Sequence, residues 1–333
     1  MRWQCAALVR IGRAGLLASC LQIALAPAPV ALAQQPDAQA APAAPGRGPR
    51  PVDPRVQLRT YQFEETNENI PYAVFVSSKV RPDRKNPLIV ALHGLGGSHT
   101  SLLRGNALDL AEEGGYILVG PMGYNPRGWY GVPATGRGGR RRGPGAPNAV
   151  GRPQANPACA PQSAPAGAPL ANPASGRQGP PPGTLDGAND PPNLREFSEK
   201  DVLNVLERVR EEFNVDERRT YLMGHSMGGA GTFHLAVKYA GTWAATASIA
   251  PAAFGMQPSS LAAIPDMPMM IVHGDNDTAV PVEVGRSWAA AMSELKMTHR
   301  YIEVPCGDHG NVISIGMPDI FAFFAEHSKA ASR

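Results

Sequence analysis

The sequence predicts an α/β fold, a mostly parallel central sheet with helices on both faces. Three observations carry that expectation. Short, predominantly apolar runs at Pro87–Leu92, Tyr116–Val119, Thr220–Met223, Ala244–Ala250 and Met267–Val272 read as strands buried on both sides. Stretches with apolar residues at helical spacing separate several of them, and strands alternating with helices are satisfied by parallel strands joined through crossover helices. The chain just beyond these strands is rich in Gly, Ser, His and Asp, where open parallel sheets place their ligands.

The elements follow in order. Residues 1–33 combine Arg2, Arg10 and Arg13 with an apolar run and a small-x-small site, Ala31-Leu32-Ala33, ahead of Gln34. This is the pattern of a secretory signal peptide and implies a secreted or periplasmic protein. A retained membrane anchor is the alternative, although Pro27 and Pro29 interrupt the run. Leu17-Ala18-Ser19-Cys20 also matches a lipoprotein box, but Arg13 stands too close to it for the usual apolar region. A Pro/Ala-rich linker, 34–54, leads to one folded domain, 55–330, interrupted by an insert at 131–195.

Gln57–Phe63 and Pro71–Val76 flank a polar turn and suit an antiparallel pair at a sheet edge. After Pro87–Leu92 comes the turn His93-Gly94-Leu95-Gly96-Gly97, then a helical stretch through Leu102, Leu103 and Leu108 that closes at Gly114-Gly115. Behind the fourth strand, 131–195 dissolves into Gly, Pro, Ala and Arg and reads as a low-complexity, disordered insert with too little apolar surface to build a core. Periodicity returns at Ser198, a candidate N-cap for a helix with Val202, Val205, Leu206 and Val209 on one face. Further helices are expected over Gly229–Ala240, Val284–Met297 and Ile320–His327, and a last strand over Arg300–Val304.

Charge excludes little but removes one class of partner. The chain has 31 basic and 28 acidic residues, and loss of 1–33 takes three arginines and no acid, which leaves the two signs equal. A neutral mature protein offers no whole-molecule case for nucleic acid or for a membrane surface. Cys5 and Cys20 leave with the leader, so Cys159 and Cys306 remain. An exported pair can bridge, yet Cys159 lies in a segment without fixed geometry, and the bond stays open.

The chemistry concentrates at three loops. Gly224-His225-Ser226-Met227-Gly228 follows a strand and opens a helix, the tight turn that presents a serine hydroxyl. Serine is a weak nucleophile without a base in hydrogen-bond reach and a third group to orient that base. His273-Gly274-Asp275-Asn276-Asp277 and Cys306-Gly307-Asp308-His309-Gly310 supply candidates in the order acid, then histidine. His309 is the histidine of a loop after the acid. His225 reads as packing within the turn, and His93 as a brace for its loop.

With these segments the chain resembles the α/β-hydrolases of the secreted esterase type. Nearest in pattern are polyhydroxybutyrate-depolymerase-like and feruloyl-esterase-like proteins and single-domain relatives of the prolyl oligopeptidase catalytic domain. The resemblance covers Asp53–Asn125 and Phe197–Ser328. It implies the α/β-hydrolase fold, with Ser226 as nucleophile, His309 as base and Asp277, rather than the nearby Asp275, as the acid. It also implies that the amides of Leu95 and Met227 form the oxyanion hole.

Trp129 and Tyr130, leaving the fourth strand beside the site, are candidates for an aromatic wall of the substrate cleft, with ordinary packing as the alternative. No His-x-x-x-His or Cys-x-x-Cys spacing and no dinucleotide or phosphate loop is present, so the expectation is no metal and no cofactor. The partner expected is an ester substrate, with polysaccharide and polyester esters among the candidates. Nucleic acid and stable membrane insertion are not expected, and the oligomeric state is open. The expected activity is carboxylic-ester hydrolysis through an acyl-enzyme. A serine peptidase of the prolyl oligopeptidase type is the alternative, and an inactive binding protein is the outlying one.

Overall fold

A computed structural model describes residues 51–133, 156–159 and 190–330. The leader 1–33, nearly all of the linker and most of the insert lie outside the described residues. Eight strands form one sheet: β1 (Gln57–Phe63), β2 (Glu68–Val76), β3 (Asn86–Leu92), β4 (Ile117–Pro121), β5 (Val215–His225), β6 (Ala245–Ile249), β7 (Met269–Gly274) and β8 (His299–Val304). The spatial order is β1-β2-β4-β3-β5-β6-β7-β8. β1 and β2 pair antiparallel, β2 meets β4 antiparallel, and every pair from β4 to β8 is parallel. The carboxyl ends of β3 to β8 therefore share one edge of the sheet.

Side chains on the central strands alternate between two cores with the period of two that a pleated strand imposes. Leu88, Val90 and Leu92 of β3 join one apolar cluster, while Ile89 and Ala91 join the other. α2 (Leu194–Glu212), α3 (Met227–Lys238) and α4 (Val282–Glu294) cover the first face, and α1 (Asn106–Gly114) with α5 (Asn311–Glu326) covers the second. Phe233 of α3 stacks on Trp288 of α4, ring centroids 3.8 Å apart. That contact fixes the helix that begins at Ser226.

Three helix boundaries differ from those the sequence suggests. Ser198 is not an N-cap: α2 begins at Leu194, and Ser198, wholly buried, uses its hydroxyl to accept the amide of Tyr130 at 2.9 Å. α1 begins only at Asn106, because Gly105 takes φ 56° and Leu102 and Leu103 are buried from turns rather than from a helix. α5 starts nearer the sheet edge than expected and runs through Pro318. Proline has no N–H for the carbonyl four residues earlier, and the Ser314 carbonyl instead accepts Asn106 Nδ2 of α1 at 2.7 Å.

A buried carboxylate ties the chain after β4 to α2. Asp201 accepts the Tyr61 hydroxyl at 2.5 Å and the amides of Gly123 at 2.6 Å and Tyr124 at 3.2 Å. Burial raises its pKa to about 6 against these bonds, which favour the ionised form. The folded state thus holds a proton that the unfolded chain, with an ordinary carboxyl near 4, releases first. Stability from this group is full below about pH 4 and is lost as pH rises to about 6, a change on the order of 2–3 kcal/mol. Asp201→Asn keeps the shape and removes the charge. Its melting temperature is expected to fall less than that of wild type between about pH 4 and pH 6, measured by calorimetry across that window.

Candidate active site

The turn at Ser226 is defined by close approach. Ser226 has φ 56° and ψ −113°, a conformation that costs about 1–3 kcal/mol for a residue with a side chain. Hydrogen bonds hold it: the Ser226 amide donates to the Ile249 carbonyl at 2.8 Å, and the Ser226 carbonyl accepts the amides of Ala252 at 2.9 Å and Ala230 at 3.1 Å. A Cβ at Gly224 would sit 2.1 Å from the Gly228 carbonyl oxygen, and one at Gly228 would sit 2.2 Å from that of Leu92. Only hydrogen fits at either place.

His309 follows β8 and Asp277 follows β7, and the two loops meet the turn. The Ser226 hydroxyl lies 2.9 Å from His309 Nε2, and His309 Nδ1–H donates to Asp277 Oδ2 at 2.7 Å. The imidazole is partly open to solvent, whereas the Asp277 side chain is wholly enclosed. Burial alone would raise the Asp277 pKa. Hydrogen bonds from His273 and His309, with the Val280 amide, outweigh it and hold the carboxyl well below the usual range. The second oxygen accepts the amides of Ala279 and Val280 at 2.8 and 2.9 Å.

The competing candidates face elsewhere. Asp275 accepts the Cys306 amide at 2.6 Å and Asn156 Nδ2 at 3.1 Å. Asp308 accepts the amides of Gly310 and Asn311 at the start of α5. His225, read from sequence as packing, does more. Its Nε2–H donates to the His309 carbonyl at 2.7 Å, and its ring lies 4.6 Å from that of His309. Burial first, then the neighbouring His309, push His225 down to about 3, so it stays neutral and keeps the one donor that bond requires.

The loop of Leu95 touches the turn directly. A Cβ on Gly94 would meet the Ser226 Cβ at 3.2 Å. The amides of Gly96 and Gly97 are bound to the carbonyls of Pro126 and Gly94, both at 2.9 Å, which fixes the loop on either side of Leu95. Met227 opens α3, where the first amides of a helix lack intrahelical acceptors. His93 braces the loop from beneath, its ring nitrogens 2.8 Å from the carbonyls of Gly94 and Met122.

Comparison with known proteins places this geometry. The family described as "Putative esterase" matches residues 186–307. A bifunctional acetylxylan esterase/xylanase of Neocallimastix patriciarum is 39% identical over 77 residues, 23% of this chain and 11% of that protein. A thermostable esterase superposes with a TM-score of 0.55 at 22% identity, over 83% of this chain and 64% of that one. A ferulic acid esterase from Anaeromyces mucronatus, in complex with ferulic acid, gives 0.54 at 17% identity over 82% and 90%. An S-formylglutathione hydrolase of Agrobacterium tumefaciens gives 0.53 at 18% over 82% and 95%. The chain has the fold of these esterases and hydrolases, and part of it matches the esterase family model. It spans about a tenth of the length of the curated relative it matches and just under two thirds of the thermostable esterase.

The aromatic wall expected from Trp129 and Tyr130 is absent from the cleft. Tyr130 is completely buried and Trp129 nearly so, and neither lines the space beside Ser226. The Tyr130 hydroxyl donates to the His93 carbonyl at 3.2 Å, its ring packs edge-on to His93, and a Cβ on Gly231 would strike it. Both residues have positive φ. They act as an internal strut under the Leu95 loop, because their chain turns inward after Pro126 instead of crossing the cleft.

Cys159 and Cys306 form a disulfide. The bond that the sequence left open pins 156–159 of the insert beside the two loops that carry Asp277 and His309. Asn156 strengthens the attachment, its amide donating to Asn276 Oδ1 at 2.9 Å. Asp275 lies with both sulfurs within 4.8 Å, but bridged cysteines provide no thiolate to hold a metal. Among the described residues no helix is long and apolar enough to cross a membrane. The bridge joins residues 147 positions apart, and cutting it with a reductant or with Cys306→Ser is expected to lower unfolding free energy by about 2–5 kcal/mol. Thermal denaturation with and without reductant, with Cys306→Ser as the insensitive control, measures the effect.

Proposed function

We propose that the protein hydrolyses carboxylic esters through an acyl-enzyme formed on Ser226. The observation that carries this reading is the continuous hydrogen-bonded series from the Ser226 hydroxyl through His309 to the enclosed Asp277 carboxylate. His309 takes the hydroxyl proton as Ser226 adds to the ester carbonyl. Asp277, kept ionised, stabilises the imidazolium and holds the tautomer with Nε2 toward serine. The amides of Leu95 and Met227 receive the negative charge that develops on the carbonyl oxygen. The imidazolium then protonates the departing alcohol. Water enters, gives a proton to His309 and adds to the acyl carbon; as the acyl–oxygen bond to Ser226 breaks, the imidazolium returns that proton to the Ser226 oxygen and the carboxylic acid leaves.

Several features support export of one catalytic domain, 55–330. The leader has the composition of a signal peptide, and the Cys159–Cys306 disulfide suits an oxidising compartment. Two relatives act, by their names, on acetylxylan and ferulate esters, which makes an ester of a plant polysaccharide a reasonable natural carrier. The open cleft beside Ser226, about 340 Å³, leaves room for the small acyl group of such an ester.

Hydrolysis of 4-nitrophenyl acetate and butyrate by the purified protein tests the reading. Ser226→Ala and His309→Ala are expected to lose about 10⁴-fold or more in kcat, and Asp277→Ala somewhat less. Near wild-type turnover in Ser226→Ala removes the assignment. A parallel panel of peptide 4-nitroanilides is expected to be cleaved far more slowly than the esters; the reverse order would make the protein a peptidase.

A further inference from the structure

His309 stands on a loop that leaves the edge of the sheet. β8 is the last strand, so the chain beyond it has a strand neighbour on one side only, the chain leaving β7. Cys306, three residues before His309, takes φ 55°, a left-handed conformation that a residue with a side chain rarely adopts. Such a turn persists where its surroundings over-determine it.

Those surroundings are the loop that carries Asp277. The Asp275 amide donates to the Val304 carbonyl at 3.2 Å, and the Asn276 amide donates to that of Gly307 at 3.0 Å. A Cβ on Gly274 would lie 2.1 Å from the Gly307 carbonyl oxygen, so the two chains run in backbone contact. The Asp275 side chain closes the junction: Oδ1 accepts the Cys306 amide at 2.6 Å, and Oδ2 accepts Asn156 Nδ2 at 3.1 Å. Asn156 is held in turn by its bond to Asn276, by the Ala158 amide, which its Oδ1 accepts at 3.0 Å, and by the disulfide three residues on. Hydrogen bonds to a carboxylate are stronger than those between neutral groups. Neither Asp275 nor Asn156 lines the cleft beside Ser226.

We propose that Asp275 is a positioning residue for the reaction. Its carboxylate clamps the start of the His309 loop to the Asp277 loop, and residues 156–159 of the insert complete the clamp. This rests on the esterase reading above and gives a task to a residue that reads in the sequence as a rival for the acid. Asp275 acts through the backbone, on the placement of His309 against Asp277, and takes no proton.

Exchanging donor and acceptor tests the clamp. Asp275→Asn opposes one side-chain NH2 to another, because Asn156 cannot turn its amide without losing the Ala158 bond. Asn156→Asp opposes two carboxylates. In the double variant Asn156→Asp/Asp275→Asn every donor again meets an acceptor, with the polarity reversed. With 4-nitrophenyl acetate each single variant is expected to lose about tenfold in kcat with KM within about twofold, since acylation and deacylation both pass a proton through His309. The double variant is expected to recover to within about threefold of wild type, because residues in contact couple. The rate of Ser226 labelling by an alkyl fluorophosphonate is expected to follow the same order. Rates are taken on protein with native circular dichroism, well below its melting temperature.

Wild-type kcat in folded Asp275→Asn overturns the inference. So does a loss that the double variant fails to recover; at the depth of Asp277→Ala, it would make Asp275 the acid. Where Asp275→Asn does not fold, Asn156→Ala, which opposes no like groups, decides: kcat about threefold lower is expected, and an unchanged kcat overturns the inference. Wild type that neither hydrolyses the ester nor is labelled removes the esterase reading and this inference with it.

Discussion

A carboxylate shut away from water is the constraint around which the site is built. Desolvation of Asp277 opposes its charge, and an unpartnered ion in that position would be intolerable. The sequence after β7 answers with donors from three directions: the amides of Ala279 and Val280, the ring of His273, and Nδ1 of His309. Three of these are structural. The fourth is the group that points its other nitrogen at Ser226. Orientation of the imidazole is thus a consequence of satisfying a buried charge, which makes it stiff without any further device.

The serine is positioned by a different force, backbone crowding. Strain at Ser226 is held by bonds to β6 and the loop after it, and by glycines that let β3, β5 and α3 come into contact. Support continues outward from there. Tyr130 carries the His93 carbonyl, His93 braces Gly94 and Met122, and Asp201 anchors the next two amides. The His309 loop has its own fastening, the His225 bond to the His309 carbonyl and the disulfide three residues before His309. Ser226, His309 and Asp277 are therefore each held from the side away from the cleft, which leaves the cleft itself open.

Much of this was legible in the sequence because it depends on local pattern. Buried parallel strands read as apolar runs, and Gly-x-Ser-x-Gly and H-G-x-x-D each sit at the end of such a run, while G-D-H-G follows β8, whose side chains are mostly half-buried. What escaped was long-range. Asp201 looks like any polar residue on an amphipathic helix until the Tyr61 hydroxyl and the chain after β4 close over it. Trp129 and Tyr130 are aromatic residues beyond a strand end, and nothing local says that the backbone takes two successive positive φ angles and turns them inward. The start of α5 was hidden by Gly316 and Pro318, whose cost is met by Asn106 from a helix more than two hundred residues away in sequence.

The central claim is that His309 makes the Ser226 hydroxyl a nucleophile. Intact-protein and peptide mass spectrometry after exposure to an alkyl fluorophosphonate measures this without knowledge of the natural substrate. The account predicts one adduct per chain, on the peptide containing Ser226, formed slower by orders of magnitude in His309→Ala. Folded wild-type protein that stays unlabelled, or labelling of Ser226 at the same rate without the imidazole, would contradict it.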